Sequence, residues 1–137
     1  MSIALTDEQV LSTLRDVAEE SPEKVYEAPE HLRDEWGSCY YVHRDEDGNE
    51  SAGCIVGTVL HRLGVPLAEL RKAETYGADA AIPLIGVTGI SASVSSFLRH
   101  VQRKQDRGQT WSNAVHDGLS DYNEICGSSL AFPEKAA

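Results

Sequence analysis

Hydrophobic positions recur at helical spacing in four places along this chain. In the first, Val10, Leu11, Leu14, Val17 and Ala18 form one stripe, the pattern that gathers apolar side chains on one face of an α-helix. Thr6 stands where an N-cap belongs. Gln9, three residues on, completes capping-box spacing, and Leu5 and Val10 take the flanking positions of a hydrophobic staple. Ser21-Pro22 marks the end. In the second, Ala52, Ile55, Val56, Val59, Leu60 and Leu63 predict a helix over 52–63, stopped by Gly64 and Pro66. A shorter helix over 67–73 follows, with Pro66 near its first turn. In the third, Ser91 caps a helix running to about Gln105, with Val94, Phe97, Leu98 and Val101 facing inward. In the fourth, Thr110 caps a final helix with Trp111, Ala114, Val115, Leu119, Tyr122 and Ile125 on one side and Gly127 just past its end.

The intervening segments are less periodic. Lys24-Val25-Tyr26 and Cys39-Tyr40-Tyr41-Val42-His43 are rich in strand formers and are read as two short strands, candidates to pair with each other. Pro29 to Trp36 lies between them as a loop or short helix, and Arg44 to Glu50 forms a polar turn around Asp47-Gly48. A short helix over 78–81 precedes a Pro83-, Gly86- and Gly89-containing loop. The expected fold class is mostly α (α+β): a compact helical domain of about four main helices with a small two-stranded β element. Residues 1–127 are expected as one globular domain and 128–137 as a flexible tail.

At 137 residues, 41% hydrophobic and 25% charged, the chain has the composition of a folded domain and buries roughly two-thirds of its unfolded surface. The net charge of −10 disfavours broad contact with nucleic acid or anionic membrane and favours a partner with a basic surface. Cys39, Cys54 and Cys126 are too few and too scattered for a disulfide framework, which fits a reducing cytoplasm. Met1 to Leu5 lacks the basic start of a signal peptide, and no window reaches the ~18 apolar residues a membrane helix needs.

The segment Gly53-Cys54-Ile55-Val56-Gly57-Thr58-Val59-Leu60-His61 carries the most information about chemistry. Opposite its aliphatic stripe, Cys54, Gly57 and His61 share a small, uncharged face, where a solvated helix would normally carry Lys and Glu. Gly57 costs about 1 kcal/mol relative to alanine. The face reads in two ways. Either it is packed, with Gly57 admitting a neighbouring backbone, or it lines a shallow ligand pocket made by Gly53, Cys54, Gly57 and His61 with His43, at a helix N-terminus open to an anion. Cys54 and His61 lie two turns, ~10 Å, apart along the axis, too far for a nucleophile–base pair on their own.

A metal centre is not expected, since Cys39 and His43 on one strand stand ~13 Å apart. The Asp45-Glu46-Asp47-Gly48-Asn49-Glu50 run departs from a calcium loop at position 6, Glu50, and at position 12, Val56. No phosphate-cradling, dinucleotide or hydrolase motif occurs, and no cofactor is expected. Arg99, His100, Arg103, Lys104 and Arg107 form a basic stripe. It either is solvated or answers acids of the same molecule, or, through Arg99, Arg103, Lys104 and Arg107, docks an acidic partner or a nucleic-acid backbone.

The order of Tyr41-Val42-His43, Gly53-Cys54-Ile55-Val56-Gly57, Leu60-His61-Arg62-Leu63-Gly64-Val65 and Thr110-Trp111 resembles a family of small actinobacterial and actinophage proteins of unassigned activity. A broader bacterial and phage family has a Cys-x-x-Gly helix in mid-chain and a Trp-Asn-Asp motif near the end. Cys54 and Gly57 match the first motif, and Trp111-Ser112-Asn113 matches the second in part. The resemblance implies a phage or accessory-gene setting and brings no catalytic residue. The expected function is that of an acidic binding or regulatory protein, phage-encoded and acting on a host macromolecule. Two alternatives stand beside it: a small-ligand or anion-binding domain, with or without catalysis, built on the Cys54/Gly57/His61 face, and a structural self-assembly module.

Overall fold

The computed structural model describes residues 2–28, 40–74 and 76–134. Its elements run β1 (Ile3–Ala4), α1 (Asp7–Glu20), β2 (Val42–Arg44), β3 (Glu50–Ala52), α2 (Ile55–Arg62), α3 (Leu67–Arg71), α4 (Ala78–Leu84), β4 (Val87–Thr88), α5 (Ala92–Asp106) and α6 (Trp111–Cys126). The fold is mostly α, with four longer helices, two short ones and two two-stranded sheets among the described residues.

Local signals decide the helix ends. Thr6 and Gln9 close a reciprocal capping box on α1. Ser91 and Thr110 cap α5 and α6 by accepting from the N–H groups of Val94 and Asn113, which satisfies donors a helix start leaves orphaned. Gly127 ends α6 in the left-handed conformation (φ 62°) that costs glycine little. Helix α4 is longer than the expected 78–81 turn and reaches Leu84, with Pro83 in its last turn.

Helix α5 lies at the centre, packed on α6, α4 and α2, while α1 packs on α2 and α6. Val10, Leu14, Val56, Val59, Leu60, Phe97, Leu98 and Val101 are sealed from solvent at their junction. Helices α5 and α6 approach closely at Gly118, where a Cβ would stand 3.1 Å from Val101 Cγ2. The α6 stripe fades at its end: Ile125, expected on the buried side, is 72% exposed, because no described element covers the last turn there.

Strand pairing departs from the expected pattern. Val25 does not meet the second strand-forming segment. It bridges Thr110 instead, because Trp111 and Ser112 donate their N–H groups to the carbonyls of Lys24 and Pro22. Strand β2 pairs antiparallel with β3, His43 opposite Ser51, across the Asp47-Gly48 turn. Ala52 therefore belongs to a strand, and α2 is shorter than the 52–63 pattern. Strands β1 and β4 pair in parallel, Ile3 with Val87 and Ala4 with Thr88. The Pro29–Trp36 loop and the Cys39 end of the strand reading lie outside the described residues.

Residues 128–134, expected as a loose tail, lie against the helices. Asn123 holds both the N–H and the carbonyl of Leu130 and the hydroxyl of Ser128. Phe132 meets the Phe97 ring edge-on at 6.1 Å, and Arg15 donates to the Pro133 carbonyl. Residues 135–137 lie outside the described part.

Candidate functional site

The turn from β3 into α2 carries most of the residues singled out from the sequence. The β2–β3 ladder runs on past Ala52: Gly53 N–H donates to the Tyr41 carbonyl and Cys54 N–H to the Tyr40 carbonyl, both at 2.9 Å. The chain then enters α2 with Cys54 as N-cap, its Sγ accepting from Gly57 N–H at 3.5 Å. Cys54 is fully buried.

The two glycines explain why this face is small. A Cβ at Gly57 would stand 2.5 Å from the Tyr41 carbonyl oxygen and 2.9 Å from Tyr41 Cα. At Gly53 it would meet the Tyr40 carbonyl oxygen at 2.4 Å and the His43 ring at 2.5 Å. The backbone of Tyr40 and Tyr41, leading into β2, therefore lies directly over the first turn of α2.

The histidines are separated by this packing. His43 is half-buried, and its Nε2 lies 2.8 Å from the Tyr26 hydroxyl, which also accepts from Tyr40 N–H at 2.8 Å. Burial, and then the charge of Lys24, hold the His43 pKa below its ordinary value of 6.5, so the ring is neutral at neutral pH. His61, at the other end of α2, is exposed, and its Nδ1 donates to the Val65 carbonyl at 3.0 Å. The structure thus brings Gly53 and His43 together and leaves Cys54 and His61 at opposite ends of one helix.

Three side chains that the sequence did not single out hold this region in place. Glu74 accepts the N–H groups of Tyr41 and Val42 at 2.5 and 3.3 Å. Burial raises its pKa against the pull of those two donors, with Arg71 lowering it and Glu50 raising it further. Gln105 Oε1 accepts Ile55 N–H at 2.8 Å and Gln102 Oε1 accepts Ala78 N–H at 3.0 Å, so two buried glutamines of α5 cap the starts of α2 and α4. Gln102 also donates to the Tyr41 hydroxyl, which donates to the Tyr76 carbonyl. Their only sequence signal is a pair of glutamines three apart on the inward side of α5.

The basic stripe splits. Arg99 pairs with Asp79 at 2.8 Å and Lys104 with Asp121, while Arg103 and Arg107 are exposed and form no ion pair among the described residues. His100 meets the Tyr122 ring edge-on.

An open cleft of about 280 Å³ lies elsewhere, between the C-terminal half of α1 and the start of α6. Ala18, Val115 and Phe132 provide apolar walls and Arg15, Glu19 and His116 polar ones. Arg15 is held by the Pro133 carbonyl and by Asp16, whose Oδ1 stands 3.5 Å from Nε. Ser112 and His116 both line the cleft and make no hydrogen bond to each other. Nothing in the sequence predicts this site, because its two helices are about ninety residues apart in the chain.

Among the described residues no group of three His, Cys, Asp or Glu is placed to hold a metal ion, and no helix is long and apolar enough to cross a membrane. No family model, curated protein or solved structure matches the chain.

Proposed function

We propose that this chain is an acidic binding or regulatory protein that works by contact, its partner a host macromolecule with a basic surface, in the phage setting its sequence resemblance implies. One observation carries the reading. The residues best suited to chemistry are spent on holding the fold: Cys54 caps α2, Gly57 seats the Tyr41 backbone, and His43 and His61 are each tied to a neighbouring oxygen. The remaining chemical character is charge, −10 over 137 residues. A field of that sign steers a basic partner into encounter and weakens as salt screens it.

The test is a pull-down from host lysate with the whole chain, repeated at rising ionic strength. A specific partner retained at low salt and released as salt rises supports the reading. Retention of nothing above background, or of a partner indifferent to salt, overturns it. The cleft between α1 and α6 favours a second reading, a small-ligand domain whose site is this cleft rather than the α2 face. Thermal shifts produced by small metabolites, and lost when Val115→Trp fills the cleft, distinguish that reading from the first.

A further inference from the structure

Charge is spread unevenly over this acidic chain. Residues 1–6 carry no ionisable side chain, and none occurs from Ala80 through Leu98, a gap of nineteen positions in a chain of which 25% is charged. The fold brings these two segments together. Strand β1 comes from the first, and the end of α4, β4 and the start of α5 come from the second, with β1 paired to β4 and α4 packed on β4. Ala4, Ala80, Pro83, Leu84, Thr88 and Ala92 are exposed around this junction. Leu84 alone is 53% exposed. The acids at its border are occupied: Asp7 accepts Ser91 N–H at 2.7 Å, and Asp79 holds Arg99.

The same junction contains an unfinished sheet. Ile3 N–H donates to Gly86 O and Leu5 N–H to Thr88 O, so these groups point toward β4. The alternation of a parallel ladder turns the N–H and C=O of Ala4 outward, where they meet no hydrogen-bond partner among the described residues. Exposed edges are usually blunted by shortness, a charge, a proline, a bulge or a covering element; β1 is short, two residues, and residues 1–6 carry no charged side chain and no proline.

We propose that this end of the molecule is a self-association surface that takes a second copy of the chain. The two β1 edges pair antiparallel about a two-fold axis and merge two two-stranded sheets into one of order β4–β1–β1–β4. Two features favour a second copy as the occupant. An uncharged backbone edge is complementary to itself under a two-fold rotation, as an isologous interface requires. A copy also brings its own charge of −10, so it is repelled from the acidic faces and meets no opposing charge here. A basic partner would be drawn to those acidic faces instead, so this inference stands apart from the function proposed above.

The experiment is sedimentation equilibrium of the whole chain across a range of concentrations and salt. The mass should rise from monomer toward dimer with concentration, and more readily in salt, which screens the repulsion between copies. Ala4→Pro removes the outward N–H, a change that edge strands tolerate, and should weaken association about tenfold. Leu84→Glu, which places a charge in the neutral surface, should weaken it independently. Ile125→Glu, outside the surface, should leave it intact. Circular dichroism and melting show that each variant is folded. A monomer at every concentration overturns the proposal and leaves the β1 edge to an extended segment of another protein. A dimer that survives both Ala4→Pro and Leu84→Glu also overturns it.

Discussion

At the scale of single residues, the most constrained position is Gly57. A methyl group there would sit 2.5 Å from the Tyr41 carbonyl oxygen, just before β2, and backbone yields less readily than the tip of a flexible side chain. Gly57→Ala improves helix propensity by about 1 kcal/mol and still loses overall, because strand and helix must separate. The expected result is a net destabilisation of about 1–3 kcal/mol, read as a lowered denaturation midpoint in urea. An unchanged or raised midpoint would mean that β2 does not rest on α2 as described. The sequence made the anomaly of a glycine on an uncharged helix face visible. It could not say whether a strand, another helix or a ligand accounts for that face, since Tyr41 lies sixteen residues away across a turn.

At the scale of elements, the helices with side-chain caps are closely predictable, and the strands are not. Capping is local chemistry: Thr6 with Gln9, Ser91 and Thr110 each engage an N–H three residues away. Strand partners are chosen by what the helices leave open, which is why Val25 is paired with Thr110 and Ile3 with Val87. Helix α2 mixes the two cases. Its C-terminal stop at Gly64 is local, whereas its start depends on the β2–β3 ladder and on Gln105, fifty residues away. Gln105→Leu keeps the volume apolar and leaves Ile55 N–H buried without an acceptor, a cost of about 1–3 kcal/mol. Gln105→Glu, which retains an acceptor oxygen in a buried place, separates loss of the hydrogen bond from loss of shape. Faster hydrogen exchange at the Ile55 amide in Gln105→Leu than in the parent would confirm the cap, and unchanged exchange would refute it.

At the scale of the whole molecule, the two termini matter more than their composition suggests. The first residues form β1 and staple α1 to β4, and residues 128–134 pack on the core through Leu130 and Phe132, the latter against the Phe97 ring. A chain ended after Gly127 loses the three hydrogen bonds at Asn123 and the partly buried Phe132 ring. A stability loss of about 2–4 kcal/mol is expected, measured by chemical denaturation. A truncated chain as stable as the full one would return 128–137 to the status of a loose tail. The same truncation removes one wall of the α1–α6 cleft, so a ligand held there would bind the shorter chain more weakly.

What the sequence by itself determined are features whose cause lies within a few residues: four amphipathic stripes, the caps of α1, α5 and α6, the stops at Gly64 and Gly127, the polar turn at Asp47-Gly48, and the acidic balance. Each depends on one helical period, one side chain reaching its own backbone, or a sum of charges, and none needs a distant partner. Only the tertiary structure decided what covers the Cys54–Gly57 face, which acids answer Arg99 and Lys104, where Val25 finds its partner, and that α1 and α6 leave a cleft between them. Those outcomes join residues separated by sixteen positions or more. Apolar side chains signal that they will be buried, but burial has no direction, and the choice of neighbour is made by packing the assembled elements together.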